Sequence, residues 1–242
     1  MADESLVSTP EKNTEPVSLT PVLEKPTQEQ TREGVSYVEK KDGRKYMVRD
    51  NRLRFFYPGE WILFYDSLKP GKQKNTFDIA MGTGGRINEL INIKVEDHDT
   101  ERNALTLKVT KIRARLGEKK PTPRTLAISS QLSKKIRAMS KGLRPGDKLP
   151  LLSKSAATQV LKRHLKKIGI KDWYMFSLHN VRKTHGNYLK ALGVDMSEIC
   201  KRLGHDSDTY LKSYASPDIF TLKDMDQMRI ILGDLYQRRI KW

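Results

Sequence analysis

The sequence predicts a mixed α/β fold, mainly α-helical, with a small β-hairpin or sheet. Apolar residues recur at helical spacing through most of the chain beyond residue 57, and Pro-Gly or lone Gly residues punctuate those runs. Around residues 105–130 the pattern changes to two stretches of strand-forming residues, L-T-L-K-V-T-K-I-R and R-T-L-A-I-S, separated by a basic loop. Helices on either side of one hairpin follow from that order.

Residues 1–33 contain no aromatic residue, hold four of the eleven prolines and carry seven acidic against three basic side chains, the composition of a disordered tail. From 34 to 56, V-S-Y-V-E, K-Y-M-V-R and R-L-R-F-F alternate in part, with Asp42-Gly43 and Asp50-Asn51 as turn signals, so a short β-meander or linker is expected. Residues 57–242 then form the main domain. Pro58 suits a first helical turn, and Trp61, Phe64, Tyr65 and Leu68 make a stripe that Pro70-Gly71 ends. A second helix is expected over about 72–81. Thr83, Gly84 and Gly85 let the backbone turn before a helix that Arg86 opens and that faces Ile87, Leu90 and Ile91 inward. After the hairpin, helices are predicted at about 129–140 and 154–168. Ser177 is a good N-cap for a helix over 178–192 that Gly193 stops, and Asp195 with Glu198 reads as a capping box for a short helix ending at Gly204. A last helix over 219–242 carries Leu222, Met225, Met228, Ile231, Leu232 and Leu235. Packing on its own domain and docking on a neighbouring copy account for that stripe equally well.

The formal charge is +17 over 242 residues, and removing the −4 tail leaves +21 on residues 34–242. That excess points to a polyanionic partner, nucleic acid first. No apolar run reaches membrane-spanning length and no signal peptide opens the chain, so a cytoplasmic, nucleoid-associated protein is expected. The single cysteine, Cys200, excludes an internal disulfide and a cysteine-based zinc site; between Ile199 and Leu203 it reads as a packing residue.

Chemistry concentrates in two stretches. In S-L-H-N-V-R-K, His179 and Arg182 are three apart and share a helical face; His205 follows in L-G-H, and Tyr214 lies nine residues further on. In T-G-G-R-I-N-E-L, Glu89 stands three residues after Arg86, placed to orient its guanidinium. Each motif alone is weak. A surface ion pair, a capping histidine and a helix-turn-helix that binds DNA without chemistry account for them separately. The basic face Lys162, Arg163, Lys166 and Lys167 on the helix at 154–168 suits DNA, or simply water.

Taken together, T-G-G-R-I-N-E-L, a lysine in a following hairpin, H-x-x-R, L-G-H and the later tyrosine resemble the catalytic domain of the tyrosine recombinase, or phage-integrase, family over about residues 57–220. Short archaeal integrases look especially similar. The resemblance implies a site-specific recombinase or integrase that cuts and rejoins double-stranded DNA through a 3′-phosphotyrosyl intermediate, without metal or other cofactor, as an oligomer, a tetramer, on DNA. By the same resemblance Arg86, Arg182 and His205 would bind the phosphate and Tyr214 would attack. His179 would take its proton, Lys111 would protonate the departing 5′-oxygen and Glu89 would support Arg86. Lys119 and Lys120 in the hairpin loop are alternative acids and DNA contacts, and Tyr210 is a rival nucleophile ranked below Tyr214. The separate helical DNA-gripping domain usual in the family has no space in residues 1–56. A type IB topoisomerase, which relaxes supercoils with similar chemistry, and a non-catalytic DNA-binding protein are the alternative functions.

Overall fold

A computed structural model describes residues 36–39, 45–48, 54–108, 123–206, 210 and 219–235. The expected tail, Lys111, Lys119, Lys120 and Tyr214 lie outside the described residues. Two short strands, β1 (Ser36–Glu39) and β2 (Lys45–Val48), pair antiparallel, with Ser36 opposite Val48.

Aromatic residues build the entry into the core. Helix α1 (Pro58–Ser67) begins at the proline, and Glu60 accepts the Tyr57 N–H at 2.9 Å in its first turn. Trp61 and Phe64 turn inward, meeting Phe56 at ring-centroid distances of 5.3 and 5.6 Å, while Phe56 and Phe176 lie 4.5 Å apart and Phe64 and Phe77 4.9 Å. Burying such rings supplies on the order of 2–3 kcal/mol each.

Helices α2 (Lys72–Thr83) and α6 (Leu178–Ala191) pack side by side at the centre. Helix α2 outlasts the predicted stop near residue 81: the Thr83 hydroxyl donates to Ile79 O at 2.6 Å and accepts the Gly85 N–H at 3.1 Å, so the turn begins only at Gly84. Helix α6 is buried on nearly every side from Asn180 to Leu189, and several of its polar residues reach hydrogen-bond partners across the core. Thr184 Oγ1 accepts the Phe56 N–H at 2.9 Å, and the Tyr188 hydroxyl donates to Phe56 O at 3.0 Å. Ser177 is the N-cap residue of α6, as the sequence predicts, and Asn180 braces it. The Asn180 side-chain oxygen accepts the Ser177 N–H at 2.8 Å and its hydroxyl at 2.7 Å, because a carboxamide three residues on can reach both.

The helix opened by Arg86 is a single turn, α3 (Ile87–Leu90), so of the three residues expected inward only Leu90 is fully buried, and Ile93 beyond the turn joins it. The hairpin has a third strand. β3 (His98–Asp99) pairs with β4 (Ala104–Leu107), which pairs with β5 (Arg124–Ala127), all antiparallel. Two residues are too few to leave an alternating pattern, and hence β3 was not legible. Leu105, Leu107, Leu126 and Ile128 turn the sheet's inner face to the core. Helices α4 (Ser130–Met139) and α5 (Lys154–Lys167) start at Ser129 and Ser153, whose hydroxyls accept N–H groups three residues on. Helix α7 (Met196–Leu203) starts with Asp195 accepting the Ser197 N–H at 2.8 Å and ends at Gly204. The last helix, α8 (Leu222–Leu232), packs on its own domain through Met228 and Leu232, with Leu235 just beyond; Leu222, predicted inward, is 80% exposed, because it opens the first turn ahead of the buried positions. Cys200 is buried. Among the described residues no helix is long and apolar enough to cross a membrane.

Candidate active site

The site forms where three chain turns meet: the end of α2, the end of α7 and the first half of α6. Gly84 caps α2 in the left-handed region, φ +63°, and a Cβ there would lie 2.5 Å from His185 Cδ2 and 2.8 Å from Leu203 Cδ2. At Gly85 a Cβ would lie 2.4 Å from Leu90 Cδ2 and 3.0 Å from Leu107 Cδ1. The paired glycines therefore let α2, α3, α6 and α7 approach closely, and that approach delivers Arg86 to Arg182.

Arg182 is only 1% exposed. One Nη donates to Gly84 O at 2.6 Å; the other donates to Leu203 O and, at 2.8 Å, to His205 Nε2. A guanidinium only donates, so His205 Nε2 is an acceptor and the proton of its neutral ring sits on Nδ1. Burial, then the charges of Arg182 and Arg86, press the His205 pKa down to about 3. His179 lies one turn before Arg182 at the exposed lip of the site; partial burial of its ring, then Arg182, Lys183 and Arg86, lower its pKa to about 4. Both imidazoles are neutral at pH 7, and His179 can accept a proton.

Arg86 is the more open guanidinium, its side chain 42% exposed. It donates to Glu89 Oε1 at 3.1 Å and to Gly204 O at 3.3 Å, while its N–H reaches Glu89 Oε2 at 2.9 Å. Glu89 is no surface partner. It is 2% exposed and takes a two-pronged contact from Arg124, at 3.0 and 2.6 Å. Burial by itself would raise the Glu89 pKa; the hydrogen bonds of Arg124, then of Arg86, outweigh it and hold the carboxyl below its ordinary value.

The structure thus brings Arg86, Glu89, Arg182 and His205 into one bonded network with His179 beside it. Lys162, Arg163, Lys166 and Lys167 stand apart on α5. Arg163, Lys166 and Lys167 are exposed, whereas Lys162 is half-buried, its ammonium 3.4 Å from Tyr174 O and 5.9 Å from the centre of the Trp173 ring. A shallow groove runs along this helix past Lys154, Thr158, Lys162 and Arg163. Tyr210 is 1% exposed and burial pushes its pKa up to about 12, a poor setting for a nucleophile. Lys108, just past β4, pairs with Asp97 at 2.6 Å, and that hydrogen bond raises its pKa.

Three supporting residues escaped the sequence reading. Arg124 is in phase with Leu126 and Ile128 and therefore faces inward, a signal the alternation contained. His185 stands at helical spacing from Val181 and Leu189 and is fully buried, its Nδ1–H donating to Met81 O at 2.6 Å. Its Nε2 accepts from Arg202 Nε at 2.8 Å, and Arg202 also donates to Ala127 O and Gly82 O. Burial, then Arg124, lower the Arg202 pKa to about 10, but the group stays charged at pH 7.

The model of the phage integrase family matches residues 64–219, nearly two thirds of the chain. The chain belongs to that family. Among curated phage integrase relatives, the tyrosine recombinase XerA of Saccharolobus solfataricus is 28% identical over 164 residues, covering 68% of this chain and 50% of the relative. The chain spans about half the length of the curated relatives it matches. Among solved phage integrase folds, a crystal structure of XerA recombinase superposes with TM-score 0.54 at 15% identity, covering 78% of this chain and 66% of the other. The Tn1549 transposon integrase in complex with circular intermediate DNA gives TM-score 0.55 at 16% identity, covering 72% and 65%. Those likenesses establish a tyrosine recombinase fold, mostly helical with a three-stranded antiparallel sheet.

Proposed function

We propose that this chain is a site-specific DNA recombinase or integrase that breaks and rejoins strands through a phosphotyrosyl intermediate. The observation that carries the reading is the network in which Arg86 and Arg182 are both tied to the end of α7, beside two neutral imidazoles. A phosphodiester gathers negative charge on its non-bridging oxygens during transfer, and two guanidiniums held by main-chain carbonyls meet that charge without reorganising. Tyr214 Oη attacks phosphorus, its proton passing to His179, and a Tyr–phosphate bond replaces the bond to the 5′-oxygen. That oxygen leaves as a hydroxyl, protonated by Lys111, with Lys119 and Lys120 the alternative donors. His205 adds a hydrogen bond to the phosphate. In the second half a 5′-hydroxyl of another strand attacks the phosphotyrosine and the tyrosine departs, so the bond energy is kept.

Double-stranded DNA is the substrate class, drawn by the +17 charge and met by Lys162, Arg163, Lys166 and Lys167 of α5. The XerA and Tn1549 relatives, the latter solved with DNA, support the same partner. Assembly as a tetramer on DNA fits the bare apolar residues Leu222 and Ile230 on α8, 80% and 79% exposed. Nicked suicide substrates, which trap covalent protein–DNA adducts, test the reading. Wild type and Tyr210→Phe are expected to form the adduct and Tyr214→Phe to form none. An adduct with Tyr214→Phe, or none with wild type on DNA carrying its own attachment sequence, would overturn the assignment.

A further inference from the structure

Arg124 lies outside the network's phosphate-facing groups, yet it touches both surfaces on which Arg86 rests. Its two Nη atoms grip Glu89 at 3.0 and 2.6 Å, and its Nε donates to Arg202 O at 3.0 Å, one turn of chain before His205. Its side chain also lies against Gly204, where a Cβ would stand 3.4 Å from Nη1. Glu89 and Gly204 O are in turn the acceptors for Arg86. The Arg86 side chain is 42% exposed, so packing does not hold its rotamer and these acceptors do.

We infer that Arg124 is a positioning residue for strand cleavage, locking Glu89 and the Gly204–His205 turn into the one arrangement that aims Arg86 at the scissile phosphate. The inference rests on the recombinase reading above. The planar fork matters, since only a group with donors on three nitrogens bridges both carboxylate oxygens and the Arg202 carbonyl together; an ammonium reaches fewer of them. A loosened Glu89 lets Arg86 swing by an ångström or more, and misplacement on that scale slows chemistry roughly 100-fold.

Single-turnover cleavage on two suicide substrates separates positioning from mere stability. One substrate carries the ordinary phosphodiester and the other a methylphosphonate, in which a methyl group replaces a non-bridging oxygen and removes the charge Arg86 answers. Arg124→Met should slow the ordinary substrate roughly 100-fold with DNA affinity within about twofold of wild type, and the deficit should shrink to about threefold on the methylphosphonate. Arg124→Lys should fall between wild type and Arg124→Met. A second readout needs no activity. In protein labelled with ¹⁵N-arginine, the Arg86 Nη resonances should be resolved in wild type and average to the position of free arginine in Arg124→Met. Equal slowing on both substrates, or an unmoved Arg86 resonance, would overturn the inference. If Arg124→Met does not fold, Arg124→Lys carries the same two readouts. If wild type forms no adduct, the recombinase reading fails by itself and the Arg86 resonance alone decides the positioning role.

Discussion

Alanine at three glycines separates two contributions that the site's tightest turn combines. Gly193 has φ +82° and nothing within 4 Å of a would-be Cβ, so Gly193→Ala is charged only with the left-handed backbone, about 1–2 kcal/mol. Gly85 has no positive φ, but its Cβ would stand 2.4 Å from Leu90 and 3.0 Å from Leu107, and both leucines are buried with nowhere to retreat. Overpacking of that kind costs about 1–3 kcal/mol. Gly84 suffers both, φ +63° and contacts of 2.5 and 2.8 Å, so Gly84→Ala should cost about 2–5 kcal/mol. At about 2–4 °C of melting temperature per kcal/mol for a chain of this size, the three should rank Gly193, Gly85, Gly84, with Gly84→Ala melting about 4–20 °C early. Urea unfolding at constant m-value is the assay, with calorimetry as its check. A Gly84→Ala protein no less stable than Gly193→Ala would refute the close approach of α2 to His185 and Leu203 on which the placement of Arg182 depends.

Two further outcomes follow from the charges. His179, His185 and His205 all have depressed folded pKa values, to about 4 and about 3 for the first and last, so the unfolded chain takes up protons first as pH falls below about 6.5. Their contribution to stability is complete above that pH and is lost on the way down to pH 3–4; thermal melts between pH 7 and 4 should fall, and His205→Gln should flatten part of the slope. Glu89, with its lowered pKa, adds a separate loss only below about pH 4.3; an unchanged melting temperature from pH 7 to 4 would contradict the histidine effect, and an unchanged one from about pH 4 to 2 the Glu89 effect. The general acid is tested with a 5′-bridging phosphorothiolate, whose thiolate leaves without a proton. Lys111→Ala should cleave it far better than the ordinary substrate, whereas Arg86→Ala and Arg182→Ala should stay slow on both; rescue of Lys119→Ala or Lys120→Ala instead would move the acid into the loop.

Local rules were enough for much of this protein. The helix containing His179 and Arg182, the stop at Gly204 that places His205 just beyond α7, and the antiparallel pairing of β4 with β5 depend on interactions within a few residues or on strict alternation, and both leave a readable period. The spacing of Arg86 and Glu89 likewise foretold their ion pair. Other features needed the tertiary structure because their partners are far apart in the chain. Arg124 meets Glu89 across 35 residues, Arg202 meets Gly82 across 120, and Arg182 meets Gly84 across 98. Periodicity shows that such a side chain faces inward, but not what it will find there. For a buried charge that partner decides everything, since desolvation makes an unanswered guanidinium untenable while a carboxylate or a set of carbonyls makes it a fixed support. Sequence therefore named the groups proposed to face a phosphate, and only the fold decided which buried side chains hold them in place.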